Sequence, residues 1–244
     1  MKDESGHQRS GRAIDFGIAT TRTERDAILA QRFRVYQRRG YHRPGLAVER
    51  DPYDERAVYV LGMLRDREGR DLLVGSARLV RGAERPAFVY PTRVAMEFEA
   101  PEALRGIPAR QCIDVGRMVS ERPEGIVLGA LVTPLALLQT IAGHSRRHRL
   151  HGGLAVLKRR FLDALLAAGV ALHEISPAAV VYPRDGVFAP YFYRHLDPAA
   201  PVYWLLDEIA PTVVRAIARY ADTPSSPSPT WQSTRNDNES ATAR

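Results

Sequence analysis

The sequence contains a single cysteine, Cys112, among its 244 residues. One cysteine excludes an intrachain disulfide and any zinc site built from several cysteines, and it suits a reducing compartment. A long uninterrupted apolar run is also missing, because the most apolar stretch, 126–142, is broken by Gly129, Thr133 and Pro134. This stretch therefore predicts a buried helix and no membrane span, and the N-terminus lacks an apolar signal core. We expect a cytoplasmic protein.

Acidic residues are outnumbered by basic ones, 28 to 35, which gives a net charge of +7 and a pI of about 9.8. Such a balance favours an acidic partner, whether nucleic acid, anionic lipid or an acidic carrier protein. The sequence has no helix-turn-helix, zinc-finger or RNP-like pattern, and its aromatic residues lie far from its basic runs. We therefore expect no nucleic acid among the partners.

The hydrophobic pattern predicts one α/β domain over 13–222, between a disordered leader, 1–12, and a disordered Ser/Pro/Thr/Asn-rich tail, 223–244. Thr21 and Glu24 predict a capping box for the first helix, which Gly40 ends, with Ile28 on its apolar face and Gln31 on its polar face. The segment 88–110 is predicted to be a long connection with one short helix at 101–104. Strands are predicted at 13–19, 57–64, 72–80, 111–120, 152–157 and 170–175, and longer helices at 22–39, 125–149, 158–168 and 199–220.

Two of these elements contain prolines that leave their course open. The helix 125–149 either kinks at Pro134 or starts there with Thr133 as its cap. The last helix is expected to break near Pro211. Between them, the aromatic-rich segment 177–196 is open to a role in capping a pocket.

Charged residues lie inside two mostly apolar strands. Arg78 in the second hairpin strand requires an anionic partner if it is buried, and Asp51 and Asp54 lie just upstream in an acidic stretch, 49–55. In the strand 111–120, alternation puts Asp114 on one face and Arg117 on the other, unless a bulge at the intervening glycine re-aims them.

These residues resemble, in order and spacing, the N-terminal motifs of the autoinducer synthases, which make acyl-homoserine lactones. The matching positions are Arg32, Tyr36, Tyr41, the run 49–54, the run 75–79 and the run 114–117. Further on, Arg184-Asp185-Gly186 and Pro190-Tyr191-Phe192 resemble the N-acyl amino acid synthases, including the exosortase-associated type. The resemblance implies a GNAT-like three-layer α/β/α fold with a central mixed sheet, and acyl-phosphopantetheine on acyl carrier protein as the donor. It implies no metal and no permanently bound cofactor.

The sequence departs from the autoinducer synthases at three positions, which have tryptophan at Tyr41, phenylalanine at Tyr36 and glutamate at Asp114. These changes favour an amino acid as the amine acceptor, and S-adenosylmethionine is the alternative. The turn 122–127 keeps only the first half of the GNAT pyrophosphate loop, which favours a donor that presents phosphopantetheine alone.

The resemblance also assigns roles. Asp114, acting through a water, is the candidate for removing the amine proton, Arg117 lies beside it, and the backbone N–H groups of Met118 and Val119 are the candidate oxyanion donors. The acceptor-binding candidates are Arg32, Tyr36, Tyr41, Asp51, Asp54 and Arg78. The competing interpretation is a structural network of ion pairs between the first helix and the sheet, in a catalytically idle domain.

Two basic clusters flank one short strand. We interpret them as the docking surface for acyl carrier protein, and the competing interpretation is a pair of solvated helix ends. The clusters are Arg146, Arg147 and Arg149, and Lys158, Arg159 and Arg160. Leu131, Leu135, Leu138 and Ile141 form an apolar helix face that is either an acyl-chain pocket or plain core.

Overall fold

The computed structural model describes residues 14–43, 45, 50–65, 68–83, 89–122 and 129–221. The predicted leader and tail, Glu49 and most of the turn 122–127 lie outside the described residues. Within these ranges the strands are β1 (Ile14–Ile18), β2 (Val58–Arg65), β3 (Asp71–Arg81), β4 (Met96–Phe98), β5 (Cys112–Ser120), β6 (Gly152–Lys158), β7 (His173–Glu174), β8 (Ala178–Val180) and β9 (Ala199–Leu205). The helices are α1 (Arg22–Arg39), α2 (Pro91–Ala95), α3 (Glu102–Arg105), α4 (Val132–Arg147), α5 (Arg159–Ala167), α6 (Ala189–Phe192) and α7 (Leu206–Ala221).

The central sheet has seven strands in the order β1-β2-β3-β5-β6-β9-β7, and β4 and β8 form a separate pair. Only β5 and β6 run parallel within the described sheet; its other neighbours are antiparallel. Helices α4, α5 and α7 cover one face and share the main core with it. Helices α1 and α2 cover the other face. This arrangement confirms the predicted three layers and the mixed sheet.

Helix α1 forms as its local signals predict. Thr21 accepts a hydrogen bond from the backbone of Glu24, whose carboxylate accepts one in return, and Gly40 ends the helix at a φ of 62°. The prediction that Gln31 faces solvent is wrong. Its side chain is fully buried, donates to the Leu73 carbonyl at 3.0 Å and accepts from the Ser76 hydroxyl at 2.9 Å. Because both ends of its amide are satisfied by β3, burial costs little there.

The segment 199–220 contains a strand that the sequence pattern did not predict. Its first half is β9, which pairs with β6 along its whole length and with β7 on its other edge. Val202 and Trp204 on this strand lie in the main core, and this tertiary pairing outweighs the local helical signal. Pro211 lies inside α7 without ending it, and the predicted strand 170–175 contracts to the two residues of β7.

Helix α4 begins at Val132, so neither sequence alternative for Thr133 and Pro134 is right in detail. Pro134 occupies the first turn, where its missing N–H has no intrahelical acceptor. The connection 88–110 is also more ordered than predicted, since it contains α2 and β4 as well as α3. Helix α2 packs against β5.

Gly153 tests how tightly β5, β6 and β9 pack. A methyl group there would lie 2.4 Å from the Ile113 carbonyl oxygen and 2.6 Å from the Trp204 ring. We expect Gly153→Ala to lower the free energy of unfolding by about 1–3 kcal/mol in urea titration. Gly143, inside α4 with nothing within 4 Å of the same position, is the matched control. Gly143→Ala should raise stability by about 0.5–1 kcal/mol, and a loss of equal size in both variants would contradict the packing argument.

Candidate active site

The parallel strands β5 and β6 stop pairing halfway along their length. They pair from Cys112 to Val115 and from Gly152 to Ala155, and not beyond. Two cavities, of about 250 and 680 Å³, meet in the resulting opening. The residues that line both are Tyr36, Val115, Gly116, Arg117, Val156 and Tyr191. Any two ligands bound in these cavities would therefore face each other across the same stretch of β5.

A bulge re-aims β5 at this junction. Ser76 of β3 opposes Val119, whereas Arg78 opposes Gly116, so β5 holds one extra residue, and Arg117 has a φ of 54°. A non-glycine residue in this left-handed region is uncommon and often marks a functional position. Of the two sequence alternatives, the bulge is confirmed. It brings Arg117 Nη2 to 3.0 Å from Asp51 Oδ2 and puts the guanidinium 3.7 Å from the centre of the Phe188 ring.

Asp51 and Asp54 form an ion network with three arginines. Asp54 accepts hydrogen bonds from both terminal nitrogens of Arg32, at 3.0 and 2.8 Å, and from one terminal nitrogen of Arg78, at 3.0 Å. Asp51 accepts from Arg78 at 2.6 Å and also from Arg117. Burial alone raises the pKa of Asp54, but the hydrogen bonds and charges of Arg32 and Arg78 outweigh it, and the pKa falls far below 3.8. The same competition, with Arg78 and Arg117 opposing burial, lowers the pKa of Asp51.

The network divides the predicted acceptor residues into two groups. Asp51 and Arg78 line the smaller cavity, and Tyr36 lies at the junction. Arg32 and Asp54 line neither cavity, so the prediction that they touch the acceptor is corrected; they stand behind the wall and hold Arg78 in place. The Nε of Arg78 is buried, with almost no accessible surface, and has no hydrogen-bond partner among the described residues.

Asp114 lies in the wall of the smaller cavity and is only 2% exposed. Its Oδ2 accepts the backbone N–H of Thr92, at the start of α2, at 2.8 Å. Burial raises the pKa of Asp114 to about 6, although the Thr92 hydrogen bond opposes the change. A carboxyl group with this pKa exchanges protons near neutral pH, which suits a general base. Its other oxygen, Oδ1, faces Gly116, where an added methyl group would lie 3.8 Å away, in ordinary van der Waals contact.

Aromatic rings from the segment 177–196 complete the junction. Tyr182, Phe188, Tyr191 and Phe192 line the smaller cavity, and Tyr191 lines both. The Tyr191 hydroxyl donates to the Val156 carbonyl at 3.2 Å, in the gap between β5 and β6, and burial raises the pKa of this phenol. The sequence signals for these rings were their density and the resemblance of Pro190-Tyr191-Phe192 to the N-acyl amino acid synthases. Thr92 had no signal at all, because it lies in the connection predicted as irregular.

The larger cavity is mostly apolar and lies between the sheet and the helices α4 and α5. Met118 and Val119 line it from β5, and Tyr41 lines it from the loop after α1. Leu131 and Leu138 of the predicted apolar face line it too, whereas Leu135 and Ile141 belong to the core and do not. This face is therefore divided between cavity wall and core, and its role as an acyl-chain pocket stays a prediction.

The two basic clusters do not form one surface. Arg146, Arg147 and Arg149 lie at the start of β6, and Lys158 and its neighbours lie at its end, about 20 Å away by the rise of a seven-residue strand. Lys158 is only 5% exposed; its Nζ donates to the Tyr191 carbonyl at 2.6 Å, and burial lowers its pKa. The prediction of a docking surface made from both clusters is thus corrected by geometry.

The remaining members of the second cluster differ from each other. Arg159 is paired with Glu174, at 2.8 Å from Oε2. Arg160 is exposed and lines the larger cavity. Cys112, in β5, is buried, and burial raises the pKa of its thiol to about 11, so the nucleophilic thiolate is scarce at neutral pH.

In the part of the chain that the structure describes, no three His, Cys, Asp or Glu side chains are grouped as metal ligands. None of the helices in that part combines the length and the apolar character that a bilayer crossing requires.

No family model matches the sequence, and no curated protein does. Solved structures do match. The AHL synthase LasI aligns with a TM-score of 0.53 at 14% identity, over 83% of this chain and 94% of LasI. The CoA-dependent acyl-homoserine lactone synthase BjaI, solved with SAM and isopentyl-CoA, gives 0.50 at 19%, over 86% and 90%. FeeM, an N-acyl amino acid synthase from uncultured soil microbes, gives 0.51 at 11%, over 81% and 94%. These matches confirm that the chain has the fold of these synthases, as the sequence resemblance implies.

Proposed function

We propose that the protein is an N-acyltransferase, which moves a fatty acyl chain from a thioester to the amine of a small acceptor. The observation that carries this proposal is the meeting of two chemically different cavities at the bulge of β5, beside a buried carboxyl group with a pKa near 6. The larger, apolar cavity suits an acyl chain. The smaller one, with acids, arginines and aromatic rings in its wall, suits a zwitterionic acceptor.

The reaction joins the acceptor nitrogen to the thioester carbonyl carbon and breaks the carbon–sulfur bond. Asp114, ionised above pH 6, takes the amine proton through a water, and the leaving sulfur gains a proton as free thiol. Backbone N–H groups of Met118 and Val119, where β5 no longer pairs with β6, are the proposed donors to the developing oxyanion. No nucleophilic serine or cysteine is needed.

The preferred acceptor is an amino acid. Its ammonium group is matched by Asp51 and Asp114, and its carboxylate by the guanidinium groups of Arg117 and Arg78, which line the same cavity. S-adenosylmethionine, which gives an acyl-homoserine lactone, remains the second candidate. Tyr36, Phe188 and Tyr191 favour it, because aromatic faces attract a sulfonium cation.

The preferred donor is acyl-phosphopantetheine on acyl carrier protein, as the sequence predicts. Acyl-CoA is the alternative, since BjaI is a CoA-dependent synthase of the same fold. Both present the same thioester on the same flexible arm. They differ in what lies at its far end, a protein or a nucleotide.

Release of free thiol tests the proposal. Acyl carrier protein and CoA, each loaded with medium or long chains, are mixed with the enzyme and with pooled amino acids or S-adenosylmethionine in separate reactions. We expect acceptor-dependent release with one donor, and mass spectrometry of the product identifies the acceptor. Reactions without acceptor give the hydrolytic blank. If no donor and acceptor pair exceeds that blank, the proposed function is wrong.

A further inference from the structure

Five exposed arginines line the larger cavity or a groove beside it. Arg39 ends α1, Arg160 lies at the start of α5, and Arg194 lies between α6 and β9; all three line the cavity. Arg194 also lines a neighbouring groove of about 430 Å³, together with Arg43 and Arg184. We call these five residues the arginine surface. Four separate segments of the chain contribute to it, so the fold, and not one basic run, assembles it.

Hydrogen bonds or a ring contact position three of these arginines, and no acid in the described ranges neutralises any of the five. Arg194 Nη1 donates to the Arg39 carbonyl at 3.1 Å, and Arg43 Nη2 donates to the Arg184 carbonyl at 2.6 Å. The Arg184 guanidinium lies 4.4 Å from the centre of the Tyr193 ring. Among the described residues, none of the five is within ion-pair distance of a carboxylate.

Several other surface arginines are paired with acids. Arg34 and Arg38 share Glu121, Arg65 is paired with Asp71, and Arg159 with Glu174. The single acid at the cavity mouth, Asp197, has an internal role, because it accepts the backbone N–H of Arg160 at 3.0 Å. The arginine surface is thus a local excess of positive charge at the entrance to the larger cavity.

An exposed apolar side chain lies within this charged surface. Leu196, two residues after Arg194, is 86% exposed and lines the larger cavity. Arginines around an apolar contact are typical of a protein interface. A small phosphate ligand would instead require a few convergent, sheltered donors, whereas these arginines are spread out and exposed.

We propose that the arginine surface and Leu196 are the docking site for acyl carrier protein, an acidic protein whose prosthetic arm then enters the larger cavity between them. This inference rests on the proposed function. It moves the docking site away from Arg146, Arg147 and Arg149, which lie at the opposite end of β6 and line neither cavity. Those exposed arginines supply a matched control for any effect of net charge.

The test compares Arg43→Glu/Arg184→Glu with Arg146→Glu/Arg147→Glu. Arg43 and Arg184 line the neighbouring groove and neither of the two cavities, so their exchange changes the charge of the arginine surface and leaves the wall of the proposed acyl site intact. Transfer is measured from lauroyl acyl carrier protein and from lauroyl pantetheine, which lacks the protein. We expect the first variant to raise KM for the carrier protein at least tenfold at low salt and to leave transfer from pantetheine within twofold of wild type. The control should change neither value.

Three outcomes would overturn the docking proposal. They are equal losses in both variants, an equal loss with both donors, or a preference for lauroyl-CoA that depends on the same two arginines. Direct binding of labelled carrier protein separates this proposal from the proposed function. Salt-sensitive binding that Arg43→Glu/Arg184→Glu abolishes, with no turnover, supports docking and contradicts the enzyme function. Turnover of lauroyl pantetheine without any binding of carrier protein supports the enzyme function and contradicts docking.

Discussion

Replacing Asp114 by asparagine is expected to slow acyl transfer by about 10²- to 10⁴-fold while the chain stays folded. The carboxyl group is the proposed base, and asparagine has nearly the same shape but cannot take a proton. Its side-chain oxygen can still accept the Thr92 N–H that now reaches Asp114 Oδ2. The loss should therefore fall mainly on kcat, measured by thiol release, with a smaller rise in the acceptor KM because Asp114 is also proposed to face the ammonium group.

The pH dependence of the rate gives this prediction a second readout. Since burial raises the pKa of Asp114 to about 6, the base form is present above that pH, and the rate should rise with pH through about 6. This limb should be absent in Asp114→Asn. A persistent limb near 6 in the variant, or an unchanged rate, would show that another group removes the proton.

The effect on stability has the opposite sign from the effect on activity. A carboxyl group whose pKa is raised on folding binds more protons in the folded state, so stability is highest below its ordinary value of 3.8 and falls as pH rises through 6. The difference corresponds to on the order of 3 kcal/mol. At pH 8, Asp114→Asn should unfold at no lower urea concentration than wild type. Asp71→Asn, at an exposed carboxylate paired with Arg65, is the control and should change neither rate nor stability appreciably.

Local signals explain which parts of the fold could be predicted from the sequence. Thr21 and Glu24 fix the start of α1, and Gly40 fixes its end, so each end is set by residues next to it. The hairpin of β2 and β3 follows from two apolar runs around a polar turn. The partners of Arg78 could also be predicted, because a buried guanidinium needs anions and few were near in the chain. Each of these conclusions depends on short-range chemistry.

The features that escaped prediction depend on contacts far apart in the chain. β9 is a strand because β6 and β7 flank it, and nothing within 199–205 requires that. The two basic clusters looked adjacent in sequence, yet β6 separates them by its full length. The arginine surface shows the converse, since Arg39 and Arg194 meet across more than half of the chain. Thr92 and Tyr191 likewise become site residues only when α2 and α6 pack against β5 and β6.

Replacing Asp54 by alanine is expected to lower the free energy of unfolding by about 3–5 kcal/mol. The Asp54 side chain is 7% exposed and binds Arg32, 1% exposed, through both of its oxygens. It also accepts from Arg78 and from the Tyr59 hydroxyl, at 3.0 and 2.7 Å. The variant removes the carboxylate that binds both Arg32 and Arg78, and removing one partner of a buried ion pair costs far more than removing one partner of a surface pair.

Acid unfolding distinguishes this network from Asp114, the proposed base. Because the pKa of Asp54 is lowered on folding, its stabilisation is fully present above its ordinary value of 3.8 and is lost as pH falls below it. The stability of Asp54→Ala should therefore fall less steeply than that of wild type as the pH is lowered from about 5 to about 2. Asp71→Ala, which breaks the exposed pair with Arg65, should cost less than about 1 kcal/mol. Equal losses in both variants would mean that the buried network contributes no more than a surface pair, and that Arg78 and Asp51 are held at the cavity by packing alone.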